Sequence, residues 1–87
     1  MIDAQVFQVY ENSIYLWAYR NTIRGGAFYA DAARTLVQCA DLSPRQIGRL
    51  RAQWVRGRQA AYEDIETGYR EQGYAESLEF VDDDVHS

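Results

Sequence analysis

The stretch SPRQIGRLRAQWVRGRQ, residues 43–59, decides the fold class because it combines a helix start with an amphipathic period. Ser43 is a good N-cap, Pro44 suits the first helical position, and Gln46 is placed to complete a capping box. At about 100° per residue, the apolar residues fall on one stripe: Ile47, Leu50, Trp54, Ala61 and Ile65. We therefore expect an amphipathic helix over about residues 44–72, which ends at Gly73 and can kink at Gly57.

A second helix is expected over residues 27–40, between breaks at Gly25-Gly26 and at the segment ADLSP. Four residues at helical spacing are expected to form its core-facing side: Phe28, Ala32, Leu36 and Cys39.

The first segment allows two interpretations. A helix over about residues 3–23, capped by Asp3, gives one broad face: Val6, Val9, Tyr10, Ser13, Ile14 and Trp17. Alternatively, VFQVY and IYLWAY form two strands of a hairpin around ENS. The helix is favoured because ENS lacks the glycine of tight hairpins, and because Ala4, Leu16 and Ala18 suit a helix.

The fold class predicted from these segments is an all-α, three-helix domain with a long third helix. It spans residues 1–75, and residues 76–87 form a short acidic C-terminal tail. The alternative keeps an N-terminal β-hairpin followed by two helices. A chain of 87 residues has room for one marginal core, and Cys39 is its only cysteine, so support is expected from helix packing or a partner chain.

The charges are strongly polarised along the chain. Residues 20–58 carry a formal charge of +6, residues 59–87 carry −8, and the whole chain carries −4. Such a division concerns partners and solubility more than fold. No apolar run approaches the roughly 20 residues of a membrane span, and the N-terminus lacks a secretion signal, so we expect a cytoplasmic protein with no membrane contact.

Residues suited to catalysis are sparse. The single histidine, His86, is next to the C-terminus, and Cys39 is expected in the core. Three neighbouring acids, Glu63, Asp64 and Glu66, fan out around their helix. We therefore predict no enzyme activity, no catalytic residues, no metal site and no cofactor.

The residues predicted to bind a partner are arginines and tyrosines. Arg45, Arg49 and Arg56 form a ridge opposite the apolar stripe of the third helix, and Arg51 and Arg58 form a second row with Tyr62 and Tyr69. Tyr15 and Tyr19 lie on the side of the first helix opposite Val6, Tyr10 and Trp17, so that this helix needs a partner on two sides. Tyrosine, tryptophan and arginine are enriched at binding hot spots.

The segment ARTLVQCADLSPRQIGRLRAQW, with Ser43 opening its second helix, resembles a helix-turn-helix. It departs from that motif at Asp41, where a glycine is usual, and at Val37, where a small residue is usual. The resemblance implies a DNA-binding regulator, which is the first alternative function.

The function expected from the sequence is non-enzymatic: a small regulatory or inhibitory protein that binds another protein or a macromolecular complex, of the kind carried by phages and other mobile elements. The acidic residues after position 58 favour a protein partner over nucleic acid. Because the same acids can also lie against the arginines in a dimer, a homo-oligomeric assembly protein is the second alternative.

Overall fold

The computed structural model of the chain describes the backbone of residues 2–86 and the side chains of residues 2–68. It consists of three helices: α1 (Ala4–Arg24), α2 (Phe28–Cys39) and α3 (Pro44–His86). The predicted all-α class is confirmed. Residues 5–19 lie within α1, and no strand occurs in the described backbone, so the hairpin alternative is wrong.

Helices α1 and α3 each begin where a local side chain satisfies backbone donors, whereas α2 begins after Ala27 without a side-chain cap. Asp3 caps α1, since its Oδ1 accepts a hydrogen bond of 2.7 Å from the backbone N–H of Gln5. The predicted capping box opens α3: Ser43 N–H donates to Gln46 Oε1 at 2.9 Å, and Gln46 N–H donates to Ser43 Oγ at 3.2 Å. The break between α1 and α2 is formed by Gly25 and Gly26, with φ angles of 73° and 84° that favour glycine.

The helices run up, down and up, so that α1 and α3 are parallel. Contacts between them advance in step along both helices: Glu11 meets Arg49 and Gln53, and Tyr19 meets Asp64. Helix α1 packs along α3 and also against α2, whereas α2 and α3 touch each other only weakly. Helix α1 is therefore the centre of the domain, and a groove is left between the other two helices.

The core is small, and its centre joins all three helices. The central buried residues are Phe7, Ile14, Ala33 and Leu50. Half-buried apolar side chains pack around this centre: Ile2, Tyr10, Trp17, Leu36, Val37, Leu42 and Trp54. The predicted stripe on α3 faces the core, with Leu50 and Ala61 buried and Ile47, Trp54 and Ile65 half-buried.

The predicted core-facing sides of α1 and α2 are partly wrong. On the predicted face of α1, Ile14 is buried and Tyr10 and Trp17 are half-buried against the core, but Val6 and Val9 are exposed. Helix α1 also buries Phe7, Glu11 and Ala18, which were not predicted. In α2, Phe28 is 76% exposed and Cys39 is exposed, while the core side runs through Ala33, Leu36 and Val37. In both helices the buried face is rotated from the predicted one, because the small residues Ala18 and Ala33 allow the helices to approach closely. The spacing of apolar residues alone does not predict this effect.

The expected end of α3 near residue 72 is wrong, and the break that the sequence allowed at Gly57 does not occur. Helix α3 runs without a break from Pro44 to His86. One glycine inside a helix costs about 1 kcal/mol relative to alanine, which tertiary packing or a neighbouring run of helix formers can offset. The predicted division into a domain and a tail at residue 75 stays a prediction.

Candidate protein-binding groove

An open groove of about 350 Å³ lies between α2 and α3. Its floor is apolar, formed by Ile14 of α1, Ala33 of α2 and Leu50 of α3. Ala30 and Val37 line the α2 side, and Trp54 lines the α3 side. The groove exists because α1 holds the two other helices while they diverge from each other.

Two arginines stand at the rims of this groove, Arg34 on α2 and Arg51 on α3. The Arg34 Nη1 atom is 3.0 Å from Asp31 Oδ1, in a pair whose side chains are 72% and 63% exposed. Such an exposed pair contributes about 0–1 kcal/mol to stability. Asp31 therefore holds the Arg34 side chain only weakly, and the guanidinium group can bind another carboxylate. Arg51 is exposed and forms no ion pair with another described side chain. The groove therefore combines an apolar floor with positive rims.

Arg49, predicted as an outward partner-binding residue, contacts α1 instead. Its Nη2 atom donates to Glu11 Oε1 at 3.0 Å, and Gln53 Nε2 donates to Glu11 Oε2 at 3.1 Å. The Glu11 residue is only 5% exposed, so these two donors supply the hydrogen bonds that a buried carboxylate needs. The Arg49 guanidinium also lies over the Phe7 ring, 5.2 Å from its centroid. Arg49 thus joins α1 to α3.

The two tyrosines predicted to need an outside partner lie beside α3. Gly57 of α3 packs on the backbone of Tyr15, and the Tyr19 hydroxyl donates to Asp64 Oδ2 at 2.5 Å. This hydrogen bond raises the pKa of Tyr19, with smaller contributions from desolvation and from the negative charge of Asp64. Helix α3 is therefore one of the two partners that α1 requires on its sides.

The other predicted partner-binding residues are spread over the surface. Arg56 joins Tyr15 at a shallow depression between α1 and α3 that Asn12, Leu16 and Gln53 complete. Arg45 and Arg58 are exposed on α3, and Tyr62 is 58% exposed. The side chain of Tyr69 lies outside the described residues. Among the eight predicted residues whose side chains the structure describes, only Arg51 lines the groove.

Sequence reasoning missed Arg34 and gave Trp54 a purely internal role. Arg34 lies outside the predicted core-facing side of α2, and the observed rotation of that helix brings it to the groove. The signal that could have identified it is the pair Ala30 and Ala33, two small residues at helical spacing beside an arginine, which permits a concave surface between helices.

Fold and groove together define a small, three-helix α-domain with one arginine-rimmed apolar groove. Comparison with protein-family models, with curated proteins and with solved structures finds no match for this chain. In the described part of the chain, none of the helices has both the length and the apolar character to cross a membrane.

Proposed function

We propose that this protein acts by binding another protein, and that it receives an acidic amphipathic helix of that protein in the groove between α2 and α3. The observation that carries the proposal is the apolar floor of Ile14, Ala33 and Leu50 between the rims of Arg34 and Arg51. The form of this activity that we propose is a regulatory or inhibitory role, including one in a phage or other mobile element, because stand-alone binding proteins of this size commonly have such roles.

The groove chemistry matches helix-in-groove recognition. In that mode an amphipathic helix places apolar residues at positions i, i+4 and i+7 into an apolar groove. The floor accepts such residues, and Trp54 in the wall is a residue type enriched at hot spots. The guanidinium groups of Arg34 and Arg51 can each bind a carboxylate in bidentate fashion. The preferred ligand therefore carries Asp or Glu beside its apolar stripe.

The test measures binding of a fluorescein-labelled synthetic helix to the full chain by fluorescence anisotropy. The peptide has leucine at i, i+4 and i+7 and glutamate on both flanks, and a matched peptide has lysine in place of each glutamate. We expect the acidic peptide to bind with a dissociation constant on the order of 10 µM. The double variant Arg34→Glu/Arg51→Glu should weaken this binding at least tenfold, since it places like charges against the peptide.

A matched control makes the same change of net charge at positions outside the groove. Arg20→Glu/Arg45→Glu alters two exposed arginines that do not line the groove, and should bind the acidic peptide within twofold of the unmodified chain. Equal binding of the acidic and basic peptides, or no binding of either, would overturn the proposal. Tight, strongly salt-dependent binding of a labelled DNA duplex in place of the peptide would favour the helix-turn-helix alternative.

A further inference from the structure

We infer that the groove receives the C-terminal part of α3 from a second copy of this chain, so that two copies form a symmetric dimer. This inference rests on the proposed binding of an acidic amphipathic helix, and names that helix. Three observations carry it: the sequence of residues 69–86, the length of α3, and the distance between the acidic residues and the groove of the same chain.

The sequence of residues 69–86 has the pattern that the groove requires. Its apolar residues recur at i, i+4, i+7 and i+11: Tyr74, Leu78, Val81 and Val85. Six acids are interspersed with them: Glu71, Glu76, Glu79, Asp82, Asp83 and Asp84. The segment is thus an acidic amphipathic helix in its sequence, and it continues α3 in the backbone.

Helix α3 extends well past the end of α1. Residues in contact across the two helices differ by 38 and 42 in number, at Glu11–Arg49 and Glu11–Gln53. The backbone contact of Tyr15 with Gly57 gives an offset of 42, so the end of α1 at Arg24 is level with about residue 66 of α3. Helix α3 then continues for roughly 20 residues, or about 30 Å. A single amphipathic helix in water is marginally stable, because its stability comes mostly from packing of its apolar face. This segment needs a partner surface.

The groove of the same chain is out of reach of this segment. A continuous helix from Arg51 to Glu79 separates the two residues by about 42 Å. The acidic end can meet an arginine-rimmed groove only on another molecule. The charges of the two halves, +6 over residues 20–58 and −8 over residues 59–87, are complementary between copies.

In an antiparallel arrangement of two copies, both grooves receive an acidic helix at once. If Arg51 of one copy lies beside Glu79 of the other, the two-fold axis passes near Ile65, and each copy fills the groove of its partner. Such an isologous interface closes after two copies. A synthetic acidic helix then enters the groove by displacing the partner's helix, so the peptide test is made at chain concentrations below the dimer dissociation constant. The dimer also supplies the partner chain that a marginal core of this size lacks.

The test is a charge exchange on full chains, followed by sedimentation equilibrium. The unmodified chain should sediment at about 20 kDa, twice the 10.1 kDa of one chain. At about 100° per residue, Asp82 and Asp84 flank the apolar stripe on its two sides. Arg34→Glu/Arg51→Glu and Asp82→Arg/Asp84→Arg should therefore each raise the dimer dissociation constant at least tenfold, because each places like charges in both grooves. A mixture of the two variants should dimerise within about threefold of the unmodified chain, since every groove then faces a tail of opposite charge.

Arg20→Glu/Arg45→Glu serves again as the charge-matched control and should dimerise normally. Far-ultraviolet circular dichroism should show that every variant stays helical. A monomer that still binds the acidic synthetic peptide would overturn the dimer and leave the proposed function standing. A dimer that both variants retain would assign self-association to another surface, and so overturn the inference. A monomer that binds no peptide would remove the dimer and the proposed function together.

Discussion

Gly57 of α3 packs directly against the backbone carbonyl group of Tyr15 in α1. A Cβ atom at position 57 would overlap the Tyr15 oxygen and would lie 3.0 Å from the Cβ atom of Ala18. The two parallel helices therefore approach closely here, where α3 has no side chain and α1 presents the Tyr15 carbonyl group and the Ala18 methyl group. This close approach explains why a glycine occupies the buried side of a long helix.

The first prediction is that Gly57→Ala destabilises the fold, although alanine is the better helix former. The helix propensity of alanine favours the substitution by about 1 kcal/mol. The overlap with a rigid backbone atom opposes it by more, and we expect a net loss of about 1–3 kcal/mol in the free energy of unfolding. Urea denaturation followed by circular dichroism measures this loss.

Gly48 provides the matched control, because it lies on the same helix and an added Cβ atom meets nothing within 4 Å. Gly48→Ala should therefore stabilise the chain by about 0.5–1 kcal/mol. If both substitutions stabilised the protein equally, the close packing of α1 on α3 at Gly57 would be refuted.

The second prediction concerns Glu11, whose buried carboxylate depends on Arg49. Arg49→Ala leaves that carboxylate with Gln53 as its one described hydrogen-bond donor, and should cost about 1–3 kcal/mol of stability. In a Glu11→Gln background the same substitution should lower the stability by less than half as much. A buried neutral amide that lacks one hydrogen-bond partner costs less free energy than a buried carboxylate in the same position. A double-mutant cycle from urea denaturation gives the coupling.

Arg45→Ala, one turn earlier on the exposed surface of α3, should stay within about 0.5 kcal/mol of the unmodified chain. Equal losses for Arg45→Ala and Arg49→Ala would show that Arg49 stabilises the fold only as a general helix former.

The third prediction is a pH dependence that arises from Tyr19. Its pKa is raised in the folded chain above the ordinary value of 10.0, chiefly by the hydrogen bond to Asp64. The folded state therefore holds the phenol proton more tightly than the unfolded state does. The stabilisation is complete below pH 10 and is lost as the pH rises through the folded pKa.

The stability difference between the unmodified chain and Tyr19→Phe should accordingly be constant at neutral and mildly alkaline pH and shrink above about pH 10. Urea denaturation at a series of pH values measures it. A difference that grew above pH 10 would contradict a raised pKa.

The fourth prediction compares two phenylalanines whose burial the sequence alone predicts in the wrong order. Phe7 is 5% exposed in the core, whereas Phe28 is 76% exposed at the start of α2 and contacts Tyr29 edge to face at 5.2 Å. Phe7→Ala should cost about 3–5 kcal/mol, and Phe28→Ala should stay within about 0.5 kcal/mol. Thermal unfolding of the two variants decides between these values, and a reversed order would refute the assigned rotation of both helices.

These residues show how far sequence reasoning extends for this fold. Caps and breaks are encoded locally, so Asp3, Ser43 with Gln46, and Gly25-Gly26 could be predicted correctly. The rotation of each helix depends on which small residues let the backbones approach, and this is a property of pairs of helices. An apolar period with aromatic residues on two sides, as in α1, does not specify which side is buried more deeply.

The candidate groove could likewise be predicted only in part. Arg51 could be selected from the period of α3 alone, because its helix is long and regular. Arg34 reaches the opposite rim only because α2 turns Ala33 to the core and diverges from α3. A concave surface between two helices depends on their separation, which no residue of either helix encodes by itself.

The fifth prediction separates the shape of the groove from its charge. Ala30 lines the α2 side and is half-buried, so Ala30→Phe should fill the groove without altering any charge. We expect it to weaken binding of the acidic synthetic helix at least tenfold, whereas Ala52→Phe, on an exposed position of α3 that does not line the groove, should bind it normally. Both variants should keep the salt dependence of any remaining binding, since Arg34 and Arg51 are unchanged. Unaltered affinity of Ala30→Phe would mean that the arginines bind acidic helices on the outer surface and that the apolar floor takes no part.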